Sequence, residues 1–80
     1  MTDAIKNAIM DYLKARIERN NKGMLSTYNV KNSSIRVMHD NDLSIDKDMK
    51  YILKNDEPYI KIIRKWGKGG KELLPKLELL

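Results

Sequence analysis

Between Lys61 and Lys71 the chain carries five Lys or Arg and no acid, with Trp66, Gly67, Gly69 and Gly70 set among them. Cations at this density do one kind of chemistry: they capture anions electrostatically, a phosphate backbone above all. The run Ile60-Lys61-Ile62-Ile63-Arg64-Lys65-Trp66 has the β-branched, alternating character of a strand. It ends in the basic, glycine-rich stretch Gly67-Lys68-Gly69-Gly70-Lys71. A second apolar segment, Glu72 to Leu80, follows at once, so the glycine stretch is expected to be the tip of a hairpin. Glycine admits positive φ and lets a backbone approach a duplex closely, which gives Gly69 and Gly70 a use beyond the turn itself.

Other arrangements of reactive residues are weak. Asp40, Asp42, Ser44 and Asp46 have the spacing of the first part of a calcium loop. Its sixth position is Ile45 where glycine is needed, and its twelfth is Tyr51 where glutamate is needed. Helix capping accounts for these acids better. Gly70-Lys71 resembles the end of a phosphate loop, yet Lys65 stands where the first glycine belongs and Glu72 replaces Ser/Thr. His39 is the sole histidine and has no cysteine beside it, so no metal site is expected. No nucleophile–base pair is evident; the chain is not expected to be an enzyme, and no catalytic residue or cofactor is assigned.

The elements that must position the basic segment fit one small domain of 80 residues. A chain of this size buries only about 60% of its unfolded surface. It has no cysteine, hence no disulfide staple, and a reducing compartment suits it. The net charge is +5. Residues 1–57 hold ten Lys/Arg against nine Asp/Glu, while residues 58–80 hold six against two, so most of the excess sits at the hairpin. Apolar runs are too short to span a membrane, and Met1 to Lys6 lacks the pattern of a secretory leader. A cytoplasmic, nucleoid-associated protein is expected, without membrane contact.

Thr2 or Asp3 can cap a first helix over about 3–22. Ile5, Ala8, Ile9, Tyr12, Leu13 and Ile17 recur on one face, basic residues load its last turns, and Gly23 suits its end. Residues 24–42 admit two readings. Tyr28/Val30 and Ile35/Val37 alternate around Lys31–Ser34, as in a small hairpin. Alternatively a short strand near 24–28 precedes a short helix near 32–40, with Ile35 and Met38 on one side; this second reading is preferred. Ser44 can cap a helix over about 44–55, with Ile45, Met49, Ile52 and Leu53 on one face and Asn55 and Pro58 at its end. Its opposite face would carry Lys47, Lys50, Tyr51 and Lys54, although lysines on an exposed helix face are commonly just solvated. The hairpin spans about 59–79, with Pro75 marking an edge strand. The core is expected to contain Ile5, Ile9, Leu13, Ile17, Ile35, Met49, Ile52, Leu53, Ile60 and Ile62.

This order resembles a winged helix. Residues 43–79 look like the second half of small winged-helix DNA-binding proteins, especially compact transcription regulators of archaea and their viruses. The resemblance lies in Leu43-Ser44 opening the helix through Asn55, in Tyr59–Trp66, in Gly67-Lys68-Gly69-Gly70-Lys71 and in the return strand. Thr27-Tyr28-Asn29-Val30 is similar to the start of that family's preceding helix. The implied fold is α+β, a winged helix-turn-helix of three helices plus a C-terminal hairpin wing. The implied mechanism places the 44–55 helix in a DNA major groove, with Lys47, Lys50, Tyr51 and Lys54 facing bases and flanking phosphates. The wing would touch the backbone through Arg64, Lys65, Lys68 and Lys71.

The expected function is therefore double-stranded DNA binding in transcription regulation. A homodimer is expected because operators are often read as two half-sites. The first helix and the tail Leu73, Leu74, Leu77, Leu79 and Leu80 are the candidate interfaces. Two rivals remain: a protein-interaction winged helix that uses the leucine tail, and an RNA-binding module that stacks bases on Trp66 and Tyr51. Trp66 more often packs its ring over a hairpin base than on a nucleotide.

Overall fold

A computed structural model describes residues 1–80. Helix α1 runs from Asp3 to Lys22, as its periodicity predicts. The Thr2 hydroxyl accepts the Ile5 N–H at 3.3 Å, Asp3 lies in the first turn, and Arg19 and Lys22 lie in the last, each favourably placed against the helix dipole. Gly23, at φ 56°, ends the helix by donating its N–H to the Arg19 carbonyl. A 3-10 turn, Gly23–Leu25, and an irregular segment follow, so no strand forms at 24–28.

Helix α2 spans Asn32–Asp40. Lys31 precedes it with no capping side chain of its own. The cap comes instead from α1: Asp11 accepts the Lys31 N–H at 2.9 Å and also the Tyr28 hydroxyl. Burial pushes the Asp11 carboxyl up, but the bonds from Tyr28, Lys31 and Ser34 outweigh it and hold the group below its ordinary range. The same bond to Asp11 pushes the Tyr28 hydroxyl up.

From Asn41 onward the structure departs from a winged helix. No third helix forms over 44–55. Strand β1, Leu43–Ile45, and strand β2, Tyr51–Lys54, pair antiparallel there, with Ile45 opposite Ile52. Between them the Asp46 N–H donates to the Tyr51 carbonyl at 2.9 Å, and the Met49 N–H to the Asp46 carbonyl at 2.8 Å. Met49 takes φ 55° and is buried. The i, i+4, i+7 spacing of Ile45, Met49 and Ile52 thus has another origin. Two of these residues are cross-strand partners, and the third folds beneath them, so all meet the core without a helix. Asn55 and Asp56, at φ 51° and 65°, form a tight two-residue link to the next strand. Positive φ at both central residues matches the twist of a hairpin and suits Asn and Asp. The expected helix end is therefore a hairpin turn.

Strands β3, Glu57–Trp66, and β4, Glu72–Leu79, complete one antiparallel sheet of order β1-β2-β3-β4. The architecture is α+β in two layers, a pair of N-terminal helices against a four-stranded meander. It is not three helices with a wing. The core joins Ala8, Ile9, Leu13 and Ile17 of α1 and Met38 of α2 to Leu43, Met49, Ile52, Ile60 and Ile62. Ile35, expected inside, is exposed, and Met38 takes its place. Ile5 packs against the core only partly buried, and Leu53 is also half-buried.

Candidate nucleic-acid interface

Strand alternation sorts the basic segment onto two faces. Cross-strand partners share a face. Ile60 and Ile62 are buried under the helices, so their partners Leu79 and Leu77 lie on the inner face. The pairs Tyr51–Lys61, Lys61–Glu78 and Ile63–Lys76 then lie on the outer face, which no helix covers. Between the pairs Ile63–Lys76 and Lys65–Leu73, β4 has one residue more than β3. This bulge contains Pro75, which is tolerated where the ladder is interrupted. Past it, Arg64, Trp66 and Glu72 lie on the inner side, with Trp66 still 58% exposed, while Lys65 and Leu73 face outward.

The inner group is closed on itself. Arg64 binds Glu72 through two bonds, Nε to Oε2 at 2.6 Å and Nη2 to Oε1 at 2.8 Å. Its guanidinium also stacks on the Trp66 ring, 5.1 Å from the centroid. The Asn21 side chain fastens α1 to the same place, donating to the Glu72 carbonyl at 2.8 Å and accepting the Glu72 N–H at 2.9 Å. The Arg64 bond holds the Glu72 carboxyl below its ordinary range, and Glu72 in turn raises Arg64. Arg64, expected on the DNA side, is thus committed to an internal pair, and Trp66 packs beside it.

The outer group is open. Lys61, Lys65, Lys68, Lys71 and Lys76 are exposed and form no salt bridge; the only Lys or Arg ion pairs are Lys22–Glu18 and Arg64–Glu72. Lys65 and Lys76 approach each other from adjacent strands, and the contact with Lys76 pushes the Lys65 ammonium below its ordinary range. Two like charges with no carboxylate between them make a place that favours an external anion. The tip beyond them, Lys68-Gly69-Gly70, turns with Gly69 at φ 75° and Gly70 at φ 74°. A Cβ at either glycine would meet no atom within 4 Å, so their requirement is conformational and leaves the tip sterically open.

The structure brings together Lys65, Lys68, Gly69, Gly70 and Lys71 and adds Lys76. Sequence reading missed Lys76, which joins the group only through the cross-strand register that sets it opposite Ile63. Lys47 and Lys50 lie in the β1–β2 turn beside the hairpin, where the Ile62 N–H donates to the Lys50 carbonyl at 2.9 Å. Asp46 and Asp48 share that turn and dilute its charge. Tyr51 lies on the outer face opposite Lys61. Lys54 sits at the far end of the sheet, 5.5 Å from the Tyr59 ring centroid and opposite Glu57, nine residues along β3 from Trp66. At about 3.3 Å per strand residue it stands roughly 30 Å from the tip. No helix gathers Lys47, Lys50, Tyr51 and Lys54 into a stripe.

No group of three or more His, Cys, Asp or Glu side chains is arranged to hold a metal ion. No helix is long and apolar enough to cross a membrane. No protein-family model matches the chain, and neither a curated protein nor a solved structure shows significant similarity to it.

Proposed function

We propose that this protein binds double-stranded DNA through the outer face of the β3–β4 hairpin and its glycine tip, in the service of transcription regulation. The observation that supports this most is the set Lys65, Lys68, Lys71 and Lys76, exposed along the distal half of one hairpin and in no salt bridge, although Lys71 lies within the field of Glu18. Beyond Lys61 the only strand beside β3 is β4, so this half is a two-stranded ribbon. The B-DNA major groove admits such a ribbon, whereas the deep, narrow major groove of A-form RNA does not. The element that enters the duplex is therefore a strand pair, with no recognition helix. Lysines position a protein on phosphates more than they read bases, so sequence preference is weak.

Base stacking on Trp66 and Tyr51 has less support. The two rings lie on opposite faces of the sheet, and Arg64 stacks on the Trp66 ring.

The test is a salt series of gel shifts on random duplex. If about four lysines neutralise phosphates, log K falls with log salt at a slope of roughly −3 to −4 per protomer. Changing Lys68 and Lys71 together to Glu should lower affinity at least tenfold at 0.1 M salt and flatten the slope by about two. Unaltered binding by that double variant, or no binding by the parent at low salt, overturns the reading.

A further inference from the structure

We propose that two copies of this chain associate through the free edge of β4, antiparallel about Leu77, so that their sheets join into one. The inference rests on the backbone and the charge pattern of the edge; of the lysines proposed to meet DNA it engages Lys76 alone and leaves Lys65, Lys68 and Lys71 free.

The Leu80 N–H donates to the Tyr59 carbonyl at 3.1 Å. That bond makes Ile60–Leu79 a non-hydrogen-bonded pair of the β3–β4 ladder and Lys61–Glu78 a hydrogen-bonded one. On this alternation Lys76, Glu78 and Leu80 direct their backbone groups toward β3. Leu77 and Leu79 direct theirs to the open edge, while Pro75 lies in the bulge and is buried. Nearer the tip the edge is closed, because Asn21 already makes both bonds at Glu72. The stretch left for a partner is Lys76 to Leu79.

That stretch is complementary to itself. With Leu77 opposite the partner's Leu77, Lys76 falls opposite the partner's Glu78 and Pro75 opposite the partner's Leu79. Leu77 exchanges both backbone bonds with its twin. Pro75 has no N–H to leave stranded. Lys76 and Glu78 form a non-hydrogen-bonded pair on the outer face, where Cα atoms are about 4.5 Å apart and side chains are closest. A two-fold axis at Lys76 or at Glu78 would set like charges opposite each other, and would centre on residues whose backbone groups are already bonded to β3. Charge and hydrogen bonding therefore select the same register.

The apolar surface agrees with it. Leu74, Leu79 and Leu80 are 55%, 51% and 65% exposed, unusual for leucines on a strand of so small a domain. A groove of about 340 Å³ lies along this edge, lined by Met1, Lys6, Met10, Pro75, Lys76 and Leu77. The partner's Leu79, opposite Pro75, is placed to fill it.

The chain contains no cysteine, so Lys76→Cys and Glu78→Cys each introduce a single thiol, both at exposed positions. In the proposed register Cys at 76 meets Cys at 78 of the other copy within disulfide range. Two residues at position 76 stand roughly 8 Å apart, beyond it. Mixed in mild oxidant without DNA, the two variants should cross-link at least tenfold faster than either alone. The unmodified chain should sediment at twice 9.4 kDa as its concentration rises. A chain that stays monomeric at millimolar concentration, or single variants that cross-link with themselves as fast as the mixture, overturns the proposal.

Discussion

Arg64 and Lys65 are neighbours in the chain and lie on opposite faces of one hairpin, where their charges meet different fates. Arg64 turns inward to a buried carboxylate and an aromatic ring. Lys65 turns outward to another lysine. The inner face compensates every charge it holds. The outer face carries Glu78 opposite Lys61 but sets no acid beside Lys65 and Lys76. The pleat thus separates one cation, Arg64, which braces the hairpin through Glu72, from a set available to a ligand. Counting positive charge along the segment merges them; strand alternation separates them.

The sharpest way to break this comparison is to remove one partner from each face. Glu72→Ala leaves Arg64 half-buried and unpaired. Breaking such a pair costs about 2 kcal/mol once the partial exposure of Arg64 is allowed for, or roughly a 10 °C fall in Tm. Lys65→Ala should leave Tm within about 2 °C, since it removes only a mutual repulsion on an exposed surface. Equal losses from both variants, read by thermal denaturation, would erase the distinction between the faces.

A smaller effect follows from pH. The Glu72 carboxyl is held below its ordinary value of 4.5 in the folded chain. Its contribution to stability is therefore fully present above that value and is lost as pH falls through the lower, folded one. Denaturant titrations between pH 7 and pH 3 should show Glu72→Gln losing less stability on acidification than the parent chain. Part of the acid sensitivity should survive in that variant, because Asp11 is depressed as well. Identical pH profiles would mean that Arg64 and Glu72 are not coupled.

The smallest effect belongs to the tip. Gly69→Ala or Gly70→Ala should each cost about 1 kcal/mol through the backbone alone, as no neighbouring atom stands in the way. Urea midpoints measure this. A clearly larger loss would show that the tip packs against something.

Helix α1 was legible because its signals are local. A capping hydroxyl, four isoleucine and leucine positions on one face and a terminal glycine all lie within its own span. Helix α2 was legible in extent, but its buried face turns on Met38 and Ser34 in place of Ile35, and its cap is supplied by Asp11 from another helix. Residues 44–55 were misread because a hairpin that buries both strands and the residue beneath its turn can imitate helical spacing. The dissenting signal is Asn55-Asp56, two residues that both accept positive φ, whereas Asn55 taken alone also suits a helix end. Arg64 could not be placed from sequence because its partner Glu72 lies across the tip, and one bulge decides which residues share its face. The clustering of Lys65, Lys68 and Lys71 at a hairpin was visible from their spacing; the companionship of Lys76 needed the register.

Asn21 has a consequence for how this protein ages in concentrated solution. An antiparallel sheet with a long bare edge is a template on which misfolded chains add without end, and fibrils grow this way. Here a helix side chain occupies the donor and the acceptor at Glu72 that an invading strand would need. Pro75 withholds a further donor, and the opposite edge of the sheet is the short strand Leu43–Ile45. One amide side chain thus shields the hairpin end of β4 from seeded polymerisation while leaving the far end exposed.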